Sequence, residues 1–156
     1  MIYVFDSSAL IDLIRYYYLS RFPTLWRKFD KLVEAERIVS VREAYREIEG
    51  GGDRLAEWAK SRKREIFPPS TTEELGFVKE IFVVPHFQSL VTKKARLQGK
   101  PVADPFVIAR ARILEACVIT QEVDREHAAR IPNVCRHFEV ECSTLEVFME
   151  RERWTF

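Results

Sequence analysis

Short apolar runs separated by helical stretches predict an α/β fold, a three-layer α/β/α arrangement around a small central parallel sheet. Two observations carry this prediction. β-branched, apolar segments recur at residues 2–5, 37–41 and 117–120, and a helical spacing of apolar residues fills the intervals between them. The chain has 156 residues and neither an internal repeat nor a separating linker, so one domain spanning 1–156 is expected.

Residues 2–5 (IYVF) run into Asp-Ser-Ser, a strand passing into a helix start, and Leu10, Ile11, Leu13 and Ile14 continue with helical spacing. A second helix begins after Pro23 and buries Leu25, Trp26, Phe29, Leu32 and Val33. Residues 37–41 (RIVSV) read as a strand and 42–49 as a helix stopped by three glycines. One helix is expected over 53–64, before Pro68 and Pro69 break the chain. Further helices are expected at 72–83 and 87–97. A strong one covers 104–115, with Asp104 at the cap and Pro105 in the first turn. Residues 117–120 (CVIT) form a strand, 134–135 and 138–142 supply strand material, and 144–153 form a last helix.

An apolar fraction of 47% and an aromatic fraction of 12% suffice for a packed core and exclude disorder. Three cysteines are too few and odd in number for a disulfide framework. No run reaches the roughly 18 apolar residues of a membrane helix. No basic segment precedes the apolar start. The expectation is a cytoplasmic protein with no membrane partner. The net charge is +1, but the signs are separated. Arg54, Lys60, Arg62, Lys63 and Arg64 form one basic cluster; Lys93, Lys94, Arg96 and Lys100 form another. Either could grip a polyanion such as RNA or simply be a solvated helix face.

Ligands of open parallel sheets bind beyond the carboxyl ends of the strands. Five acids from four remote segments belong there. Asp6 follows the first strand, Glu47 lies on the helix after the second, Asp104 starts the helix feeding the third, and Glu122 and Asp124 follow it. Two carboxylates about 5 Å apart repel by roughly 3 kcal/mol at an effective dielectric near 20. Several converging therefore call for a hard, oxygen-preferring cation, Mg2+ or Mn2+. Such an ion can activate water for attack at phosphorus. Each acid also has a structural reading: Asp6 and Asp104 as helix caps, Glu43 and Glu47 as solvated neighbours on one helix face, Glu122 and Asp124 as loop acids. Only their joint placement favours a site.

At these residues the chain resembles the PIN-domain superfamily, and especially VapC-like toxin ribonucleases. IYVFDSSALIDL is similar to the family's first strand and metal aspartate. IVSVREAYREI resembles its second strand and glutamate helix, which points to Glu47, with Glu43 the alternative. ADPFVIARA is similar to the helix start with the third acid, Asp104, and VITQEVD to the last acidic turn, with Glu122 in place of the usual aspartate and Asp124 after it. IPNVCRHFEVECSTLEVF suggests a poorly characterised bacterial and archaeal branch.

The resemblance implies a metal-dependent endoribonuclease with Asp6, Glu47, Asp104 and Glu122 as ligands, Asp124 as an auxiliary ligand or water-positioner, and Ser7 and Thr120 as polar supports. It implies RNA as substrate, a homodimer, and an antitoxin protein as partner; from the basic clusters, Arg62, Lys63, Arg64, Lys93 and Lys94 are the candidates to grip the RNA backbone. The alternatives are a catalytically silent PIN-like module that binds RNA or protein, and a structure-specific DNA nuclease. Cys135, His137 and Cys142 lack a fourth nearby ligand for zinc. There is neither a P-loop, a G-x-G-x-x-G loop nor a G-x-S-x-G elbow.

Overall fold

The computed structural model describes residues 1–50, 53–91 and 102–156. The chain runs β1 (Tyr3–Phe5), α1 (Ser7–Tyr16), α2 (Pro23–Glu34), β2 (Ile38–Val39), α3 (Arg42–Glu49), α4 (Arg54–Ser61), α5 (Lys63–Ile66) and α6 (Thr72–Val83). A 3-10 segment (Pro85–Leu90) follows. Then come α7 (Asp104–Leu114), β3 (Cys117–Ile119), α8 (Ile131–His137), β4 (Cys142–Ser143) and α9 (Leu145–Arg151).

The four strands form one sheet in the order β2-β1-β3-β4, and every pairing is parallel. All three residues of β1 and of β3 are buried. Since successive side chains of a strand point to opposite faces, both faces of the sheet centre are covered, as a three-layer α/β/α fold requires. On the Tyr3/Phe5 face, Phe29 of α2 and Phe148 of α9 meet the strand edge-on, at 5.9 Å from Phe5 and 4.8 Å from Tyr3 respectively. Trp26 and Trp58 extend this aromatic cluster. α7 packs on β1 and β3 and makes its broadest contact with α6.

β1 leads to β2 on one side and β3 leads to β4 on the other. The chain therefore reverses its direction of growth between β1 and β3, at the crevice where such sheets bind ligands. Among the described residues no helix is long and apolar enough to cross a membrane.

Five local expectations need correction. Of residues 138–142 only Cys142 is in a strand; the chain turns after α8, with Glu139 at a φ of 56°. Residues 134–135 are helical, inside α8, because Pro132 in the first turn opens a helix that the apolar Val134–Cys135 pair disguised as strand. The expected helix over 53–64 is two helices meeting at Arg62, whose φ of −114° and ψ of 12° interrupt the ladder. The helix expected at 87–97 is a 3-10 segment as far as Leu90, and 92–97 lies outside the described residues. Asp104 is the first helical residue and Ala103 the cap.

Candidate metal and phosphodiester site

α1 begins where β1 ends, so Asp6 sits at the carboxyl end of the central strand and is only 2% exposed. Its backbone N–H donates to Ile119 at 2.9 Å, which ties it to the end of β3. Its position is that of an N-cap, yet its side chain caps nothing. The carboxylate instead accepts hydroxyl hydrogen bonds: Ser8 Oγ donates to Oδ2 at 2.6 Å and Thr120 Oγ1 donates to the same oxygen at 2.9 Å. Ser7 Oγ lies 3.4 Å from Oδ1 and donates to Glu47 Oε2 at 2.9 Å. The capping explanation for Asp6 is thereby removed, and hydroxyls aim the carboxylate into the crevice.

Glu47, one turn beyond Glu43 on α3, reaches the same place. Its Oε1 accepts from the Ala103 N–H at 2.6 Å, across 56 residues of sequence, beside the start of α7. That contact brings it next to Asp104, the first residue of α7. Glu122 follows β3; its N–H donates to Thr120 Oγ1 at 3.1 Å and its Oε2 accepts from the Ile131 N–H at 2.9 Å. Thr120 thus donates to one acid and positions the next.

Burial and neighbouring charges act together on three of these acids. Burial, and then the charges of Glu122, Asp6 and Glu47, push the Asp104 carboxyl from 3.8 up to about 8. Burial raises Glu47, opposed by its hydrogen bonds from Ala103 and Ser7 and assisted by Asp6 and Glu122. Burial also raises Glu122, with Asp6 adding to the effect. Acids from four segments thus act on one another's charge, and Asp104 is held toward its protonated form.

The remaining expected residues lie differently. Asp124 takes part in a neighbouring network, accepting from Asn133 Nδ2 at 2.8 Å and pairing with Arg136; it is not among the acids that raise Glu47, Asp104 or Glu122. Glu43 is buried beside Arg42, and its Oε2 has no hydrogen-bond partner. Arg62 pairs with Asp30 and Glu65, and the Lys63 ammonium lies over the Tyr45 ring. Neither they nor Arg64 line the clefts beside the carboxylates. Lys93 and Lys94 lie outside the described residues. His137 packs edge-on against Phe87.

Two contributors were not singled out from sequence. Ser8 was visible two residues after Asp6, the spacing of a local side-chain turn. Arg110 carried no local signal. It is 3% exposed, its guanidinium is paired with Glu74 of α6 at 2.9 Å, and it donates to the carbonyls of Ser40, Pro68 and Pro69. This clamp joins α7, which begins with Asp104, to the end of β2 from which α3 and Glu47 depart.

The chemistry of this donor set, four hard oxygen ligands repelling one another, fits a divalent cation. In the present side-chain arrangement no group of three or more His, Cys, Asp or Glu among the described residues is close enough to hold one. Backbone amides occupy the Glu47 and Glu122 oxygens instead.

No curated protein matches the sequence. Among solved structures, the chain is similar to VapBC-1 from nontypeable Haemophilus influenzae, with 18% identity over 92% of this chain and 98% of that one and a TM-score of 0.50, a likeness of fold. The family model described as Domain of unknown function (DUF4411) matches residues 3–156, and the chain belongs to that family.

Proposed function

We propose that this protein is a metal-dependent endoribonuclease that hydrolyses RNA phosphodiester bonds. The observation that carries the reading is the convergence of Asp6, Glu47, Asp104 and Glu122 at the switch point between β1 and β3, where each of the last three is raised by burial and by its acidic neighbours. The similarity in fold to VapBC-1 and the resemblance of the four acidic motifs to PIN-domain ribonucleases support it.

In this reading Asp6, Glu47, Asp104 and Glu122 would hold Mg2+ or Mn2+. The bound cation supplies neutralisation of phosphate charge and a more acidic water. The chain's own groups do the positioning. Ser8 and Thr120 fix the Asp6 carboxylate by two charge-assisted hydrogen bonds, and Ser7 spans Asp6 and Glu47. Asp104, raised by burial and by the neighbouring acids, would meet the ion as the deprotonated carboxylate. Asp124, held by Asn133 and Arg136, is an outer support. An antitoxin protein and a second copy of this chain are the proposed partners, and the cytoplasm the proposed location.

Asp6→Asn and Asp104→Asn should each abolish manganese-dependent cleavage of single-stranded RNA while the domain stays folded. Full activity in both variants refutes the assignment. Offering flapped DNA beside RNA identifies a structure-specific DNA nuclease. The engagement of Glu47 and Glu122 by backbone amides favours, as a second reading, a catalytically silent RNA- or protein-binding module. Calorimetry separates the two, since a module takes up no manganese that depends on Asp6.

A further inference from the structure

Two clefts flank the carboxylates, and their charge differs. One, of about 640 Å³, carries Glu122, Asp124 and Glu146 against a single arginine, Arg136, which Asp124 already neutralises. The other, of about 410 Å³, begins at Ser7 and Glu47. Its apolar lining is Ile11, Ile14, Ile48 and Leu55, and Arg15 and Arg54 are its cations. Its second acid, Asp53, is already engaged as the cap of α4, accepting from the Ala56 N–H at 2.9 Å. Among the described residues neither Arg15 nor Arg54 pairs with a carboxylate. Arg54 instead lies over the exposed Tyr18 ring at 4.7 Å from its centroid. The two guanidinium groups are thus exposed and free of ion pairs among the described residues, in a cleft whose lining balances two arginines against Glu47 and Asp53 while the opposite cleft is net acidic.

The geometry points to this second cleft as the subsite for the nucleotide flanking the scissile phosphate of single-stranded RNA, a reading that rests on the nuclease function proposed above. Ser7, Ile11 and Arg15 recur every four residues on one face of α1. Arg15 therefore stands about 12 Å along the axis from Ser7, a step of a nucleotide or two from the carboxylates. The apolar residues can meet one base or sugar, and 410 Å³ lies within the usual size of ligand clefts. Arg15 and Arg54 supply planar, bidentate phosphate donors, and Tyr18 offers a stacking face at the rim. The acidic cleft opposite repels the same backbone, so the strand is held on one side and released on the other.

The test uses the full chain with calcium, another oxygen-preferring cation, in place of manganese, and a fluorescent single-stranded oligoribonucleotide. Affinity is followed against salt. Each phosphate contact on a single strand contributes about 0.7 to the slope of log K against log salt. Arg15→Gln/Arg54→Gln should lower that slope by about 1.4. A control that removes the same charge elsewhere, Lys31→Gln/Lys79→Gln, should leave it unchanged. An equal fall in both double variants, or none in the first, overturns the subsite, and so does absence of RNA binding by the unaltered protein. Cleavage in manganese is measured separately. RNA binding with the predicted arginine dependence but no Asp6-dependent cleavage removes the nuclease reading and leaves the subsite standing.

Discussion

Replacing Asp104 by asparagine removes a carboxyl that the fold holds protonated far above its ordinary range. In the metal-free protein its pKa is about 8, against 3.8 for the ordinary group. Because the folded value is the higher one, the native state binds the proton more tightly than the unfolded chain. Stability is intact below pH about 4 and falls as pH rises toward 8, where the loss levels off. Each pH unit in that window costs about 1.4 kcal/mol, which sets an upper limit near 4 kcal/mol at pH 7. Side-chain relaxation and water entry at a site open to two clefts reduce this to about 2 kcal/mol, equivalent to roughly 4–8 °C in a domain of this size.

Asp104→Asn should therefore melt at nearly the same temperature as the unaltered protein at pH 4.5 and several degrees higher at pH 8, both in EDTA. Manganese should reverse the order: the unaltered protein gains about 2.7 kcal/mol at a hundredfold excess over its Kd, and the variant gains little. The assay is thermal denaturation by circular dichroism at a series of pH values, with and without manganese. Parallel profiles across the whole range, or a variant less stable at pH 8, would refute the claim that acids from four segments act on one another's charge.

Two further outcomes follow from the same geometry. Arg110→Met leaves the buried Glu74 and three carbonyls without their donor and should cost about 3–5 kcal/mol in urea unfolding, with Arg110→Met/Glu74→Leu recovering part of the loss; a cost under about 1 kcal/mol would show that the clamp does not join the helices. Thr120→Val deletes the donor to Asp6 and the acceptor of the Glu122 N–H and should cost about 1–2 kcal/mol, together with weaker manganese binding by calorimetry. Unchanged binding would remove Thr120 from the support of the site.

The order of the acids along the fold is legible in the sequence. Asp6 and Glu122 are placed by the ends of strands whose apolar, β-branched residues identify them locally, and the crevice rule for parallel sheets does the rest. The resemblance of the four motifs selected Glu47 over Glu43 on the same helix face. The partners of these acids were not legible. Ala103 meets Glu47 across 56 residues and Ile131 meets Glu122 across nine, through backbone N–H groups that every sequence carries and that no side-chain pattern marks.

Periodicity reports what a segment does with its own neighbours, and so it recovered β1, β3 and α6 within a residue, and the presence of α1 and α2. It failed at residues 134–135, where an apolar pair fits both a strand and the buried side of a short helix, and only packing chose between them. Charge shows the same division. Composition located the basic residues, but Arg62 is consumed by Asp30 and Glu65, whereas among the described residues Arg15 and Arg54 form no ion pair and line the cleft that begins at Glu47. A side chain's charge is a property of the sequence. Whether that charge is left over to meet a ligand is decided by the neighbours that the tertiary fold brings within a few ångströms.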